Sequence, residues 1–305
     1  MLLKPGSGRA VRRLYWLLAL ALVLAVALGL GAVQPWSMRR GPAPPPPRAS
    51  DPRLVILHDQ PYPAAAGRSN VYDLYAPLDY REHPYPIFIW MHGGGWSVGG
   101  DKADWLSWGA ATHLALLGFV VLDVNYVVAT PDHPAPYPAS TDDIAAFNRY
   151  VARNEALFNS TAATRVSIGG HSAGGHLALY QATAPDAPFH YACVIDVAGI
   201  ADLTALPYSA QLARYAQAFV PTAEARLAAS PRYRLKDWRA DHLLLIHSIR
   251  DPVVPVSQSQ DVGTALGRLA TPPSVHYVLL PRGDHDLPSR ITNAAFEAFL
   301  GPHCR

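Results

Sequence analysis

Cysteine is nearly missing from this 305-residue chain, which has only Cys193 and Cys304. Cys193 sits in an apolar run with strand character and Cys304 is next to the last residue, so two unpaired thiols are expected rather than a disulfide framework. The 13 histidines show no Cys/His cluster at zinc-site spacing, and no metal or cofactor is expected. Charge is also scarce, at 16% of residues, and the net formal charge is +2. Residues 1–40 contain no acidic side chain but six basic ones (Lys4, Arg9, Arg12, Arg13, Arg39 and Arg40), which leaves the remainder at −4. That balance argues against a nucleic-acid partner. No internal repeat is present. The 29 prolines are spread along the chain, and half of the residues are apolar, which excludes disorder as the general state beyond residue 50.

What is present begins with a long apolar run. Behind a basic tail over residues 1–13, the twenty residues Leu14–Val33 are uncharged and almost wholly apolar. As a helix rising ~1.5 Å per residue they would cross a hydrocarbon layer roughly 30 Å thick. The run exceeds the about 7–15 residues of a cleavable signal, and it lacks a clean small-x-small site beyond its end. The expectation is therefore a single-pass signal-anchor helix over 14–33, with secretion after cleavage near Gly31 or Ala32 as the alternative. Four basic residues before the run and two after it favour a cytoplasmic N-terminus, with the large domain outside the cytoplasm. A Pro-rich linker over residues 34–50, containing Gly41-Pro42-Ala43-Pro44-Pro45-Pro46-Pro47, has the composition of an extended stalk.

Residues 51–305 suit one large catalytic domain. Short runs rich in Val, Ile, Phe and Tyr alternate there with stretches of helical spacing, the pattern of a mostly parallel sheet covered by helices. Eight strands are predicted, at Leu54–Leu57, Val71–Tyr75, Ile87–Met91, Phe119–Asn125, Val166–Gly169, Cys193–Val197, Leu243–His247 and Val275–Leu279, the first two forming an antiparallel start. Helices are predicted over Asp104–Leu117, Thr141–Arg153 with Ser140 and Asp143 as a capping box, Ala173–Thr183, Gln258–Leu269 and Ser289–Phe299. The alternation weakens between Asp202 and Asp241, where a small cap over a site fits.

The chemistry is concentrated at predicted strand ends. Gly170-His171-Ser172-Ala173-Gly174 matches G-x-S-x-G between a strand and a helix, the context in which a sharp turn presents a serine hydroxyl and the following N–H, on Ala173, faces an oxyanion. His92-Gly93-Gly94-Gly95-Trp96 follows the strand ending at Met91, the position of an HGGG-type loop whose N–H groups hold an oxyanion. His92 is expected to brace that loop. A neutral serine needs a base, and the base needs an orienting carboxylate. Asp251, in Asp251-Pro252-Val253-Val254-Pro255, and His285 follow later strands in the order Ser, Asp, His. Asp284 and Asp286 compete as the acid, and His247 competes as the base.

These segments, with Gly283 and His285, resemble the α/β-hydrolase esterases grouped around hormone-sensitive lipase, bacterial acetyl esterases, feruloyl esterases and kynurenine formamidases. The resemblance covers roughly residues 70–300. It implies an α/β-hydrolase fold, a Ser172/Asp251/His285 triad and an oxyanion hole formed by Gly94, Gly95 and Ala173. Two departures stand out: Val127-Val128-Ala129-Thr130 replaces the Arg-Leu-Ala-Pro run common in relatives, and His171 stands where the lipase branch usually has an acid. The second points to the acetyl, feruloyl or formamidase branch. A small-molecule ester is the expected substrate, with Trp96 beside it. Amide hydrolysis, by a formamidase or a prolyl-oligopeptidase-like peptidase, is the alternative, and a non-catalytic membrane-tethered binding domain is a remote one.

Overall fold

The computed structural model describes residues 50–305 apart from 64–68, 98–99, 131–133, 162, 206–208 and 288. The basic tail, the apolar run over 14–33 and all of the Pro-rich linker but residue 50 lie outside the described residues. Among the described residues no helix is long and apolar enough to cross a membrane.

Eight strands, β1 (Leu54–Pro63), β2 (Ser69–Pro77), β3 (Ile87–Met91), β4 (Val120–Asn125), β5 (Val166–His171), β6 (Tyr191–Val197), β7 (Ala240–Ser248) and β8 (Ser274–Leu280), form one sheet in the order β1-β2-β4-β3-β5-β6-β7-β8. β1 and β2 pair antiparallel, as do β2 and β4, and every later pairing is parallel. This is the mostly parallel α/β sheet the sequence predicts. β3 and β6 are buried along their whole length, because helices cover both faces of the sheet.

The helices are α1 (Trp105–Leu116), α2 (Ala139–Arg153), α3 (Ala173–Gln181), α4 (Ala210–Phe219), α5 (Ala223–Ala229), α6 (Ser257–Leu266) and α7 (Ser289–His303). Alternate strand residues serve opposite faces. Ile87, Ile89 and Met91 join the apolar cluster that includes residues of α2, α3, α4 and α6, while Phe88 and Trp90 join the cluster that includes residues of α1 and α7. α1 starts where the Asp104 side chain accepts from the Leu106 N–H at 3.2 Å. The Asp202–Asp241 stretch folds as α4, α5 and a 3₁₀ segment, Pro231–Asp237.

Two expectations are corrected. The Ser140/Asp143 capping box does not form, because α2 starts two residues earlier, after the cap residue Pro138, and both side chains are engaged elsewhere. Ser140 Oγ donates to the Val127 carbonyl at 2.7 Å, and Asp143 Oδ2 accepts from Asn70 Nδ2 at 2.6 Å and from the Val127 N–H at 2.8 Å. The cysteines are not free thiols: Cys193 of β6 and Cys304, just past α7, form a disulfide with their Cα atoms 5.6 Å apart. Both are fully buried in the cluster that packs α7 on the sheet, so the return of the C-terminal helix brings together residues 111 positions apart.

That bridge closes a long loop and limits the unfolded chain. Cys304→Ser is expected to lower unfolding free energy by about 3 kcal/mol, read as a fall in the urea midpoint that a reductant reproduces in the parent protein. An unchanged midpoint would show that packing alone holds α7 in place.

Candidate active site

The site forms where β3, β5, β7 and β8 end at their carboxyl edges, the position at which open α/β sheets gather ligands. β5 passes into α3 through a single residue, Ser172, whose φ of 54° and ψ of −115° place it in a region costly for a side-chain-bearing residue. Gly170 and Gly174 make this turn possible. A Cβ at either would run into the carbonyl oxygen of Met91, at the end of the neighbouring β3. The Ser172 N–H donates to the Val197 carbonyl at 2.8 Å, which ties the turn to β6 as well.

Ser172 is 7% exposed. Its hydroxyl lies 2.8 Å from His285 Nε2, and His285 Nδ1 donates to Asp251 Oδ2 at 2.7 Å. The other carboxylate oxygen, Oδ1, accepts from the N–H groups of Val253 and Val254 at 2.8 and 2.9 Å. Nε2 of the buried His247 lies 3.3 Å from Asp251 Oδ2 and donates to the Val254 carbonyl at 2.9 Å. Burial alone would raise the Asp251 carboxyl, but its hydrogen bonds with His247 and His285 outweigh this and hold it well below the ordinary carboxylate range. Asp251 is therefore ionised wherever the domain is folded near neutral pH.

The competing residues fall into other roles. Asp284 accepts from the His285 N–H, Asp286 is 64% exposed beside His171, and His247 supports Asp251 instead of reaching the serine. His171 Nε2 donates to the His285 carbonyl at 3.1 Å and so anchors the loop that carries His285. Burial, followed by the neighbouring His285, lowers the His171 pKa to about 4, which leaves the ring neutral.

The glycine loop faces the serine across a cavity of about 190 Å³. Gly93, Gly94 and Gly95 line it, while Gln211, Leu212 and Tyr215 of α4 complete the wall. Ala173 opens α3, so its N–H is one of the helix-start donors without an intrahelical acceptor. Among the described residues, no protein acceptor takes the N–H of Gly94, Gly95 or Ala173. His92 braces the loop as expected: its Nδ1 donates to the Gly93 carbonyl at 2.7 Å, and its ring stacks on Tyr126 at 4.3 Å.

Trp96 is the one site expectation the structure relocates. It is 1% exposed, stacks on Phe219 at 4.5 Å and donates from Nε1 to His176 Nδ1 at 3.1 Å, so it lies in the core under α4 and off the cavity wall. Its φ of 56° turns the side chain inward, directly after the glycine run. The contributions of Tyr215, His171 and His247 were not readable beforehand, because each acts across a gap in sequence that only the fold closes.

The comparisons with known proteins agree with this architecture. The BD-FAE family model matches residues 72–266, more than half of the chain. Carboxylesterase NlhH of Mycobacterium tuberculosis is 38% identical over 110 residues, which cover 36% of this chain and 32% of that protein. Esterase LipQ of the same organism is 27% identical over 268 residues, covering 80% of this chain and 61% of LipQ. The chain thus spans less than two thirds of the curated relatives it matches. Among solved structures, a truncated carbohydrate esterase from gut microbiota superposes with a TM-score of 0.66 at 22% identity, over 82% of this chain and 98% of the other. With the parallel sheet, the serine turn and the family match together, the chain belongs to the BD-FAE family, within the α/β-hydrolase esterases and lipases.

Proposed function

We propose that this protein is a serine carboxylesterase acting on small acyl esters. The observation that carries the reading is the unbroken hydrogen-bond chain from Asp251 through His285 to Ser172, with its serine end open to the glycine-lined cavity. In this mechanism Ser172 Oγ attacks the ester carbonyl carbon as its proton passes to His285 Nε2. The carbonyl oxygen becomes an oxyanion held by the N–H groups of Gly94, Gly95 and Ala173. Collapse breaks the bond to the alcohol, which leaves with the proton from His285. Water, deprotonated by the same nitrogen, then releases the acid and restores the serine. The ionised Asp251 stabilises the imidazolium formed in each half.

The cavity favours a short acyl group, since about 190 Å³ is below the roughly 300–1,000 Å³ of sites for drug-sized ligands. Tyr215 lies directly over Gly95 and closes that side.

The reading extends to location. The apolar run over 14–33 and its basic flanks support a membrane anchor with the domain outside the cytoplasm. The buried disulfide supports the same side, because such bonds persist in oxidising compartments.

Four outcomes test the proposal. Ser172→Ala is expected to lower turnover of p-nitrophenyl acetate by on the order of 10⁶-fold and to abolish fluorophosphonate labelling; retained turnover would remove Ser172 from the chemistry. Across acetyl, octanoyl, aryl formamide and peptide amide substrates, kcat/KM is expected to be highest for the acetyl ester. Tyr215→Ala should improve the octanoyl ester by on the order of tenfold, whereas a preference for either amide would reassign the reaction. Alkaline carbonate extraction is expected to leave the full chain in the membrane pellet; soluble protein with a mature N-terminus near Ala32 would mean that the apolar run is a cleaved signal.

A further inference from the structure

The fold assembles three histidines at the end of the sheet opposite the serine. His242 lies near the start of β7, His276 near the start of β8, and His303 is the last residue of α7. One ring nitrogen from each lies within 4.8 Å of the other two. The ring centroids of His303 are 4.7 Å from His242 and 4.8 Å from His276. Phe299, one turn earlier on α7, packs against all three rings.

Three imidazoles drawn together need a physical reason, because no hydrogen bond joins any two of them among the described residues. Nδ1 of His242 is buried and has no hydrogen-bond partner among the described residues, an arrangement that costs free energy. His276 Nε2 lies 2.9 Å from Ser274 Oγ, a contact that can fix its ring as the outer partners of metal-bound histidines do.

We propose that His242, His276 and His303 form a binding site for a divalent first-row transition ion of the zinc type, with water in a fourth position. A tetrahedral ion with Zn–N bonds of ~2.0–2.1 Å needs ligand nitrogens roughly 3.4 Å apart, so side-chain rotations that bring nitrogens now within 4.8 Å closer by up to about 1.4 Å complete it. The expected absence of a metal site is revised by this grouping: the ligands are separated by 34 and 27 residues, and the register of β7 against β8 and the docking of α7 bring them together. His303 precedes Cys304, so the ion and the disulfide would clamp the same chain end to the sheet. The ion sits at the strand starts, away from Ser172, and its role is to hold α7, with no part in ester cleavage.

The test uses the purified full chain, stripped with EDTA, and Zn²⁺ alone as the probe. The parent protein is expected to bind one ion at this site and to gain on the order of 5 °C in Tm at a free concentration about 100 times Kd. His276→Ala is expected to weaken this binding at least about tenfold and to remove the Tm gain, while esterase turnover without metal stays unchanged. Equal Zn²⁺ affinity and Tm gain in parent and variant would overturn the site, as would no uptake by the parent. Should His276→Ala fail to fold, Co²⁺ spectra of the parent decide: intense visible bands of a four-coordinate ion support the proposal, and weak octahedral bands overturn it.

Discussion

The backbones of two neighbouring strand ends approach each other here more closely than any side chain would allow. The carbonyl oxygen of Met91, at the end of β3, occupies the space that a Cβ at Gly170 or Gly174 would fill. This contact brings the glycine loop that follows β3 against the turn that follows β5, so Gly94, Gly95 and Ser172 come to line one small cavity. It also forces Ser172 into a backbone region with φ of 54°. Strain of this kind persists only where surroundings over-determine it. The Ser172 N–H to Val197 bond and the wholly buried β5 supply that constraint.

A second constraint is the treatment of buried charge. Asp251 is ionised although its side chain is buried, and a carboxylate there needs donors on both oxygens. Two backbone N–H groups satisfy Oδ1 and His285 satisfies Oδ2, with the His247 ring 3.3 Å from the same oxygen. Asp284 and Asp286 lie closer in sequence to His285, yet adjacent residues point along the loop and not back at the ring. His171 completes the arrangement from below by holding the His285 carbonyl. The Asp251–His285–Ser172 hydrogen-bond chain is thus one linear element inside a wider set of bonds that fix ring orientation, which is what tautomer control requires.

The two ends of the sheet have separate tasks. The carboxyl ends carry Ser172, Asp251 and His285 on the turns and loops that follow the strands. The opposite ends carry the disulfide and the three-histidine cluster, both of which join α7 to the sheet. The disulfide just past the last turn of α7 counters fraying where a helix end is weakest.

The sequence by itself determined the strand order of chemistry: a serine between glycines, a glycine run, then Asp251 and His285, each placed after an apolar run. It did so because these features are local, set by turn geometry and by hydrophobic period, and a period of two or of 3.6 can be read from neighbouring residues. It also set the mostly parallel sheet. Only the tertiary structure decided where Trp96 points, what Ser140 and Asp143 bind, that Cys193 meets Cys304, and that three histidines from β7, β8 and α7 share one spot. Each of these depends on the register between strands or on how a helix docks. Such long-range packing is settled by the whole core at once and leaves no mark in the spacing of adjacent residues.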